Sequence, residues 1–187
     1  MRTVVQLSSN IVVLSEAELW KLERLAHMRH DPKVGKVPDK LIANNDGYQM
    51  ALRGVVSEYA VSLYFREPMD LFIDLHGDNN VCDLIIGNLT ASVKCPMHLP
   101  PYLKFPQIEE FRQDVAVLTT LDAPNVVKLH GWTTPKRFAE FHVRRDFGYG
   151  LHYMMEPEHL YNVVSLKAIA FDAWRSNQLG ASLGELV

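Results

Sequence analysis

The stretch from Asp83 to Lys94, DLIIGNLTASVK, constrains this chain more than any other. Two β-favouring runs flank Gly87-Asn88, and a two-residue link of this kind signals a hairpin, because glycine accepts the positive φ of a tight turn. Val81 to Ile86 is expected to run out as one strand and Leu89 to Cys95 to return beside it. If the two pair around Gly87-Asn88, Asp83 lies close to Ser92. Side chains alternate along a strand, so Ser92 and Lys94 share one face while Val93 points the other way, into the core. The hairpin thus brings an acid, a hydroxyl and a lysine to one sheet edge.

Helical patterns precede it. Ser15, with Glu18 three residues on, forms a capping box ahead of EAELWKLERLAHMRH. Leu19, Leu22 and Leu25 keep a helical spacing, and Asp31-Pro32 ends the run near His30. Residues 31–48, punctuated by Pro32, Gly35, Pro38 and Gly47, read as a loop. Ala51 to Phe65 is a second helix with an apolar face that includes Leu52, Val55, Val56 and Tyr59. Gly54 costs such a helix about 1 kcal/mol relative to alanine, which a close approach would justify. Glu58 sits one turn further along the same side.

Further strands are expected at Leu71 to Leu75, at Val115 to Thr119 after Asp114, at Val126 to His130, and over Phe147 to Met154. A short β-rich run lies between Thr3 and Leu14. Ile108 to Arg112 suits a short helix or turn, and Thr133 or Thr134 can cap a helix through Glu140 with Pro135 in its first turn. Leu160 to Ala173 is a terminal helix, or a short helix and a turn. This order is met by an α/β fold, one mixed central sheet flanked by helices. The whole chain, 1–187, reads as a single domain, with an N-terminal helix and loop extension at 1–48, a core at 50–165 and a tail at 176–187.

The 187 residues suffice for one domain with a real core. No apolar run reaches the ~18 residues of a membrane span, and the N-terminus lacks a leader pattern, so no membrane partner and a cytoplasmic setting are expected. Cys82 and Cys95 read as free thiols of a reducing compartment. His98, His130 and His142 are too far apart for a zinc motif, and there is no Gly-rich phosphate loop. A formal net charge of −3 argues against nonspecific coating of nucleic acid, yet leaves room for a local basic face. Lys128, Lys136, Arg137, Arg144 and Arg145 are its candidates, since arginine clamps phosphate with two donors. Trp132 and Tyr149 are candidates for stacking on a base, although core packing suits Trp132 better.

Two acids and a lysine at strand edges suit phosphodiester hydrolysis. That reaction needs an attacking water, neutralisation of the phosphoryl charge and help for the leaving oxygen. Magnesium takes oxygen ligands and keeps several waters. Asp83 is the carboxylate ligand, Glu58 a second ligand or the holder of a water, and the Val93 carbonyl completes the set. Lys94 orients the water or stabilises charge. Taken singly, each residue also suits a plain structural part: a strand-start acid, a solvated lysine, a surface helix acid and a strand hydroxyl.

Taken together, the segments resemble the PD-(D/E)xK nuclease superfamily, a restriction-endonuclease-like group with resolvase-like and phage-type members. GVVSEYAVSLYF (54–65) looks like its first core helix, with the acid at Glu58. NNVCDLIIGNLTASVKC (79–95) looks like its catalytic hairpin, with Asp83 and Lys94 at the motif positions. DVAVLTT (114–120) and VVKLHGWTTPKRF (126–138) resemble its later strands and helix. The resemblance spans residues 50–165. It implies a metal-dependent endonuclease that hydrolyses DNA with Mg2+ or Mn2+, on branched or otherwise structured DNA, acting as a homodimer; the helix from Ser15 to His30 is a candidate dimer element, although core packing explains its leucines equally well. It also makes Asp114 a support residue near the active edge. One departure stands out: Ser92 occupies the position where the family carries Asp or Glu. A neutral hydroxyl binds magnesium poorly, so two other readings remain open. One is a catalytically inactive DNA-binding protein of the same fold; the other is a protein-interaction or inhibitory module.

Overall fold

The computed structural model describes residues 10–30, 46–69, 82–148 and 150–172. The strand expected at Leu71 to Leu75, the turn after it, Val81, Tyr149, most of the 31–48 loop and the tail at 176–187 lie outside these residues.

The hairpin forms where its turn residues dictate. Strand β2 (Leu84–Ile86) pairs antiparallel with β3 (Leu89–Lys94), matching Leu84 with Ala91 and Ile86 with Leu89. Gly87 takes φ 66°, and a Cβ there would lie 2.6 Å from the Ala170 carbonyl oxygen, so both the turn and a close approach require glycine. β3 then pairs in parallel with β5 (Val115–Ala123), which pairs antiparallel with β6 (Val126–Thr133). Strand β1 (Ile11–Val13) closes the far edge on β6, giving the order β1-β6-β5-β3-β2. This is a mixed α/β arrangement built on a five-stranded mixed sheet.

Helices α1 (Glu16–His30) and α2 (Asp46–Phe65) cover one face. The capping box is realised: Glu18 Oε2 accepts from the Ser15 amide at 2.8 Å and its hydroxyl at 2.7 Å. Leu22, Leu25 and Ala26 of α1 meet Val55, Val56, Ala60 and Val61 of α2 and Ala91, Val115 and Val117 of the sheet in one buried cluster, which Val12 and Leu14 join. α2 starts at Asp46, ahead of the expected Ala51, so Gly47 is carried inside a helix that tertiary packing sustains. A helical stretch at 163–172 adds Val163, Leu166 and Ala170 to this core.

The opposite face corrects the expectation of one sheet. β4 (Leu103–Phe105), β8 (Leu151–Met155) and β7 (Val143–Asp146) form a separate antiparallel sheet in the order β4-β8-β7. Leu103, Phe105, Phe111, Phe138 and Met155 pack there against Ala116 and Leu118 of β5. Phe138 comes from α3 (Pro135–Phe141), whose Thr134 cap accepts from the Arg137 amide at 3.2 Å. The single strand expected over Phe147 to Met154 is broken because Gly148 and Gly150 take φ 83° and 125°, so β8 begins only at Leu151. β7 is exposed at all four positions and carries no apolar alternation to announce it. Short strands at both ends of the 143–155 segment thus build a small second layer over the sheet face that carries Ser92 and Lys94.

Candidate active site

The hairpin register sets Asp83 beside Ser92. The Asp83 amide donates to the Ala91 carbonyl at 2.9 Å, extending the ladder by one residue. Its carboxylate oxygen Oδ2 accepts from the Val93 amide at 2.6 Å and from the Ser92 hydroxyl at 3.1 Å. Oδ1 has no hydrogen bond among the described residues. Ser92 is buried, so its hydroxyl serves Asp83 rather than water. Val93 packs its side chain against the main core.

Glu58 reaches the same neighbourhood from α2. Its Oε2 pairs with Arg29 Nη1 of α1 at 2.7 Å. Its Oε1 folds back along the helix, 3.7 Å from where a Cβ on Gly54 would stand. Burial pushes the Glu58 carboxyl above its ordinary range. The Arg29 charge opposes that rise, the Asp83 charge adds to it, and the Lys94 charge opposes it. Glu58, Asp83 and Lys94 are therefore electrostatic neighbours: the charges on the hairpin bias the proton on the helix.

Lys94 ends β3. Its ammonium lies 5.4 Å from the Phe105 ring centroid, and its carbonyl accepts from Thr119 Oγ1 at 3.3 Å. It lines a pocket of about 380 Å3 with Arg53, Gly54, Cys95, His98, Tyr102 and Lys104.

Among the described residues, no group of three or more His, Cys, Asp or Glu side chains is arranged to hold a metal. Two carboxylate oxygens, Glu58 Oε1 and Asp83 Oδ1, carry no hydrogen bond there. Magnesium is commonly held by one or two carboxylates plus substrate phosphate oxygens and water, so these two oxygens are the donors that would be called on to hold such an ion. The Ser92 hydroxyl is already committed as a donor to Asp83.

Asp114 does a different job. Its Oδ2 accepts from the Thr90 amide at 2.8 Å and the Thr90 hydroxyl at 2.7 Å, while its own amide donates to Thr90 Oγ1 at 3.0 Å. This clasp ties the start of β3 to the start of β5, the parallel pair on which the hairpin's position depends.

The basic candidates are dispersed among separate elements. Arg137 donates from Nε to the His159 carbonyl at 2.6 Å, and its guanidinium sits 4.5 Å from the Phe141 centroid and 4.2 Å from that of Tyr161. It fastens α3 to the 157–161 segment. Lys136 is exposed on α3. Lys128 lies in β6 opposite Ile11 and Thr120. Burial holds His130 below its ordinary pKa, and the Lys128 charge adds to that. Arg144 and Arg145 lie on exposed β7, over the rings of Tyr153 and Phe147 at 5.5 Å each. Arg145 lines a second pocket that shares His98 and Tyr102 with the Lys94 pocket. Trp132 is buried and donates to the Asn162 carbonyl and Ser165 hydroxyl, which makes it core rather than a base-stacking ring.

Arg29, Arg53 and Lys104 were not singled out from sequence. Arg29 lies near the end of α1 and Arg53 directly precedes the helical Gly54, weak signals in each instance. Lys104 sits in an LKF triplet within a proline-rich passage that hides a strand.

Comparison with known proteins found no matching family model, no matching curated protein and no matching solved structure.

Proposed function

We propose that this chain is a PD-(D/E)xK-type endonuclease that hydrolyses DNA phosphodiester bonds with Mg2+ or Mn2+. The carrying observation is Asp83, held on the hairpin by the Val93 amide and the Ser92 hydroxyl, with Glu58 on the helix packed behind feeling the charges of Asp83 and Lys94. In this reading Glu58 Oε1 and Asp83 Oδ1 hold the ion. The bound ion supplies Lewis-acid neutralisation of the phosphate and acidifies its water. Lys94 places a positive charge where the phosphoryl oxygens gain negative charge, the kind of contribution whose loss costs about 10²–10³ in rate. Arg29 fixes the Glu58 rotamer through one oxygen and leaves the other to the ion. Asp83, held by Val93 and Ser92, is oriented before substrate arrives. Branched DNA as substrate and a homodimer as the working unit belong to the same proposal.

A specific observation favours a second reading, an inactive DNA-binding protein of this fold. Ser92 stands where a third carboxylate would sit, and Arg29 already neutralises Glu58. One experiment separates the two. Purified protein is incubated with linear and branched DNA in Mg2+ or Mn2+, beside Asp83→Ala and Lys94→Ala. Cleavage that requires metal and disappears in both variants supports the nuclease. Binding without cleavage under all conditions supports the inactive protein, and absence of both overturns a nucleic-acid role.

A further inference from the structure

The pocket beside Lys94 gathers positive charge. Arg53, Lys94 and Lys104 line it, and no Asp or Glu is among its described lining residues. Arg53 donates from Nη2 to the Pro96 carbonyl at 2.8 Å, while its Nε is buried with no hydrogen-bond partner among the described residues. A buried donor without an acceptor is costly. The rest of the lining is Met50, Gly54, Cys95, Pro96 and Met97 with two rings, His98 and Tyr102. His98 stacks on Tyr102 at 3.9 Å between centroids and 23° between planes, and Tyr102 stacks on Phe147 at 5.8 Å and 25°. Lys104 and Arg145 both lie over the Phe147 ring, at 5.2 and 5.5 Å. Its volume, about 380 Å3, falls at the small end of ligand pockets, which run from about 300 to 1,000 Å3.

Three cations and a stacked ring pair in one pocket suit a ligand with a phosphate and a flat base. A base inside a duplex cannot present its face, because its neighbours cover it. We propose that this pocket takes one unpaired nucleotide of a DNA strand, its phosphate against Arg53, Lys94 and Lys104 and its base on the His98–Tyr102 stack. The inference rests on the nuclease reading for the choice of DNA and narrows the substrate to DNA with an unpaired arm beside the cut. The ring ladder continues the path past Tyr102 toward Arg145. Stacking on an aromatic side chain is tolerant of sequence, so selection is for strand state rather than for base identity.

The test is binding without cleavage. Fluorescence anisotropy in EDTA compares a blunt duplex, a forked duplex with unpaired arms and a single strand of equal length. The wild-type chain is expected to bind the forked and single-stranded DNA at least about tenfold tighter than the blunt duplex. His98→Ala and Lys104→Gln, both at partly exposed positions, are expected to remove that preference and leave blunt-duplex binding unchanged, with folding checked by circular dichroism. Lys104→Gln should also flatten the salt dependence of single-strand binding by about 0.7 in log–log slope. Equal binding of forked and blunt DNA overturns the inference, as does a preference that survives both variants. Displacement of forked DNA by a free deoxynucleoside monophosphate as readily as by an oligonucleotide would also overturn it, assigning the pocket to a free nucleotide. Failure of the nuclease reading looks different: the forked preference persists and is lost in the variants, but no DNA is cut in any metal.

Discussion

Replacing Asp83 by alanine tests whether this carboxylate organises the hairpin. Oδ2 is the acceptor for the Val93 amide at 2.6 Å and the Ser92 hydroxyl at 3.1 Å. Hydrogen bonds to a charged group contribute about 1.5–3 kcal/mol each, and a buried partner left unsatisfied costs about 1–3 kcal/mol. Asp83 is only half-buried, so water recovers part of the loss at the Val93 amide, whereas Ser92 is buried and recovers less. Removing the Asp83 charge also relieves Glu58, whose carboxyl it disfavours in the ionised form. The balance is a destabilisation of about 2 kcal/mol for Asp83→Ala, and about 1 kcal/mol for Asp83→Asn, which keeps an uncharged acceptor. Urea unfolding at pH 7, followed by tryptophan fluorescence, should show a lower midpoint at unchanged slope. In a double-mutant cycle, Ser92→Ala should couple to Asp83→Ala, because the two side chains touch. An Asp83→Ala protein within about 0.5 kcal/mol of wild type, the range of an ordinary surface change, would refute the reasoning.

Three further outcomes follow from the same geometry. Glu58 binds its proton more tightly folded than unfolded, so its contribution to stability is present at low pH, falls as pH rises above the ordinary value of 4.5 and is gone above the folded value. Stability of wild type relative to Glu58→Gln should therefore decline with rising pH, and a difference that stays constant from acid to neutral pH would contradict it. Gly87→Ala meets both a positive φ and the Ala170 carbonyl, so thermal unfolding should show a loss of at least about 1 kcal/mol, and an unchanged melting temperature would count against the packing of 163–172 on the hairpin turn. Thr90→Val removes the hydroxyl that bonds Asp114 both ways and should cost about 1 kcal/mol of stability without altering DNA binding, measured by urea titration and anisotropy.

Local signals made the hairpin and the caps legible. Gly87-Asn88 marked the β2–β3 turn, Ser15 with Glu18 marked the start of α1, and Thr134-Pro135 marked α3. Each is a short-range device whose residues carry their own geometry. The second sheet was hidden because β4 is a triplet among prolines and β7 is exposed throughout, so neither shows a hydrophobic period. At the site, the closeness of Asp83 and Ser92 follows from a two-residue turn, and alternation correctly turned Val93 toward the core. Arg29 and Arg53 were invisible because their roles depend on how α1 packs on α2 and how α2 meets the segment after β3, which spacing along one helix does not encode. Arg137 was readable as a cation, but its engagement with His159, Phe141 and Tyr161 depends on contacts distant in sequence.

The central claim is that Glu58, Asp83 and Lys94 work as one hydrolytic cluster. Single-turnover cleavage of a forked DNA in Mn2+, wild type against Lys94→Met at matched DNA occupancy, tests it most directly. The account predicts metal-dependent cutting that falls by about 10²–10³ in Lys94→Met while DNA binding persists. Cutting that is undiminished in Lys94→Met, or no cutting by a wild-type protein that binds the same DNA, would contradict it.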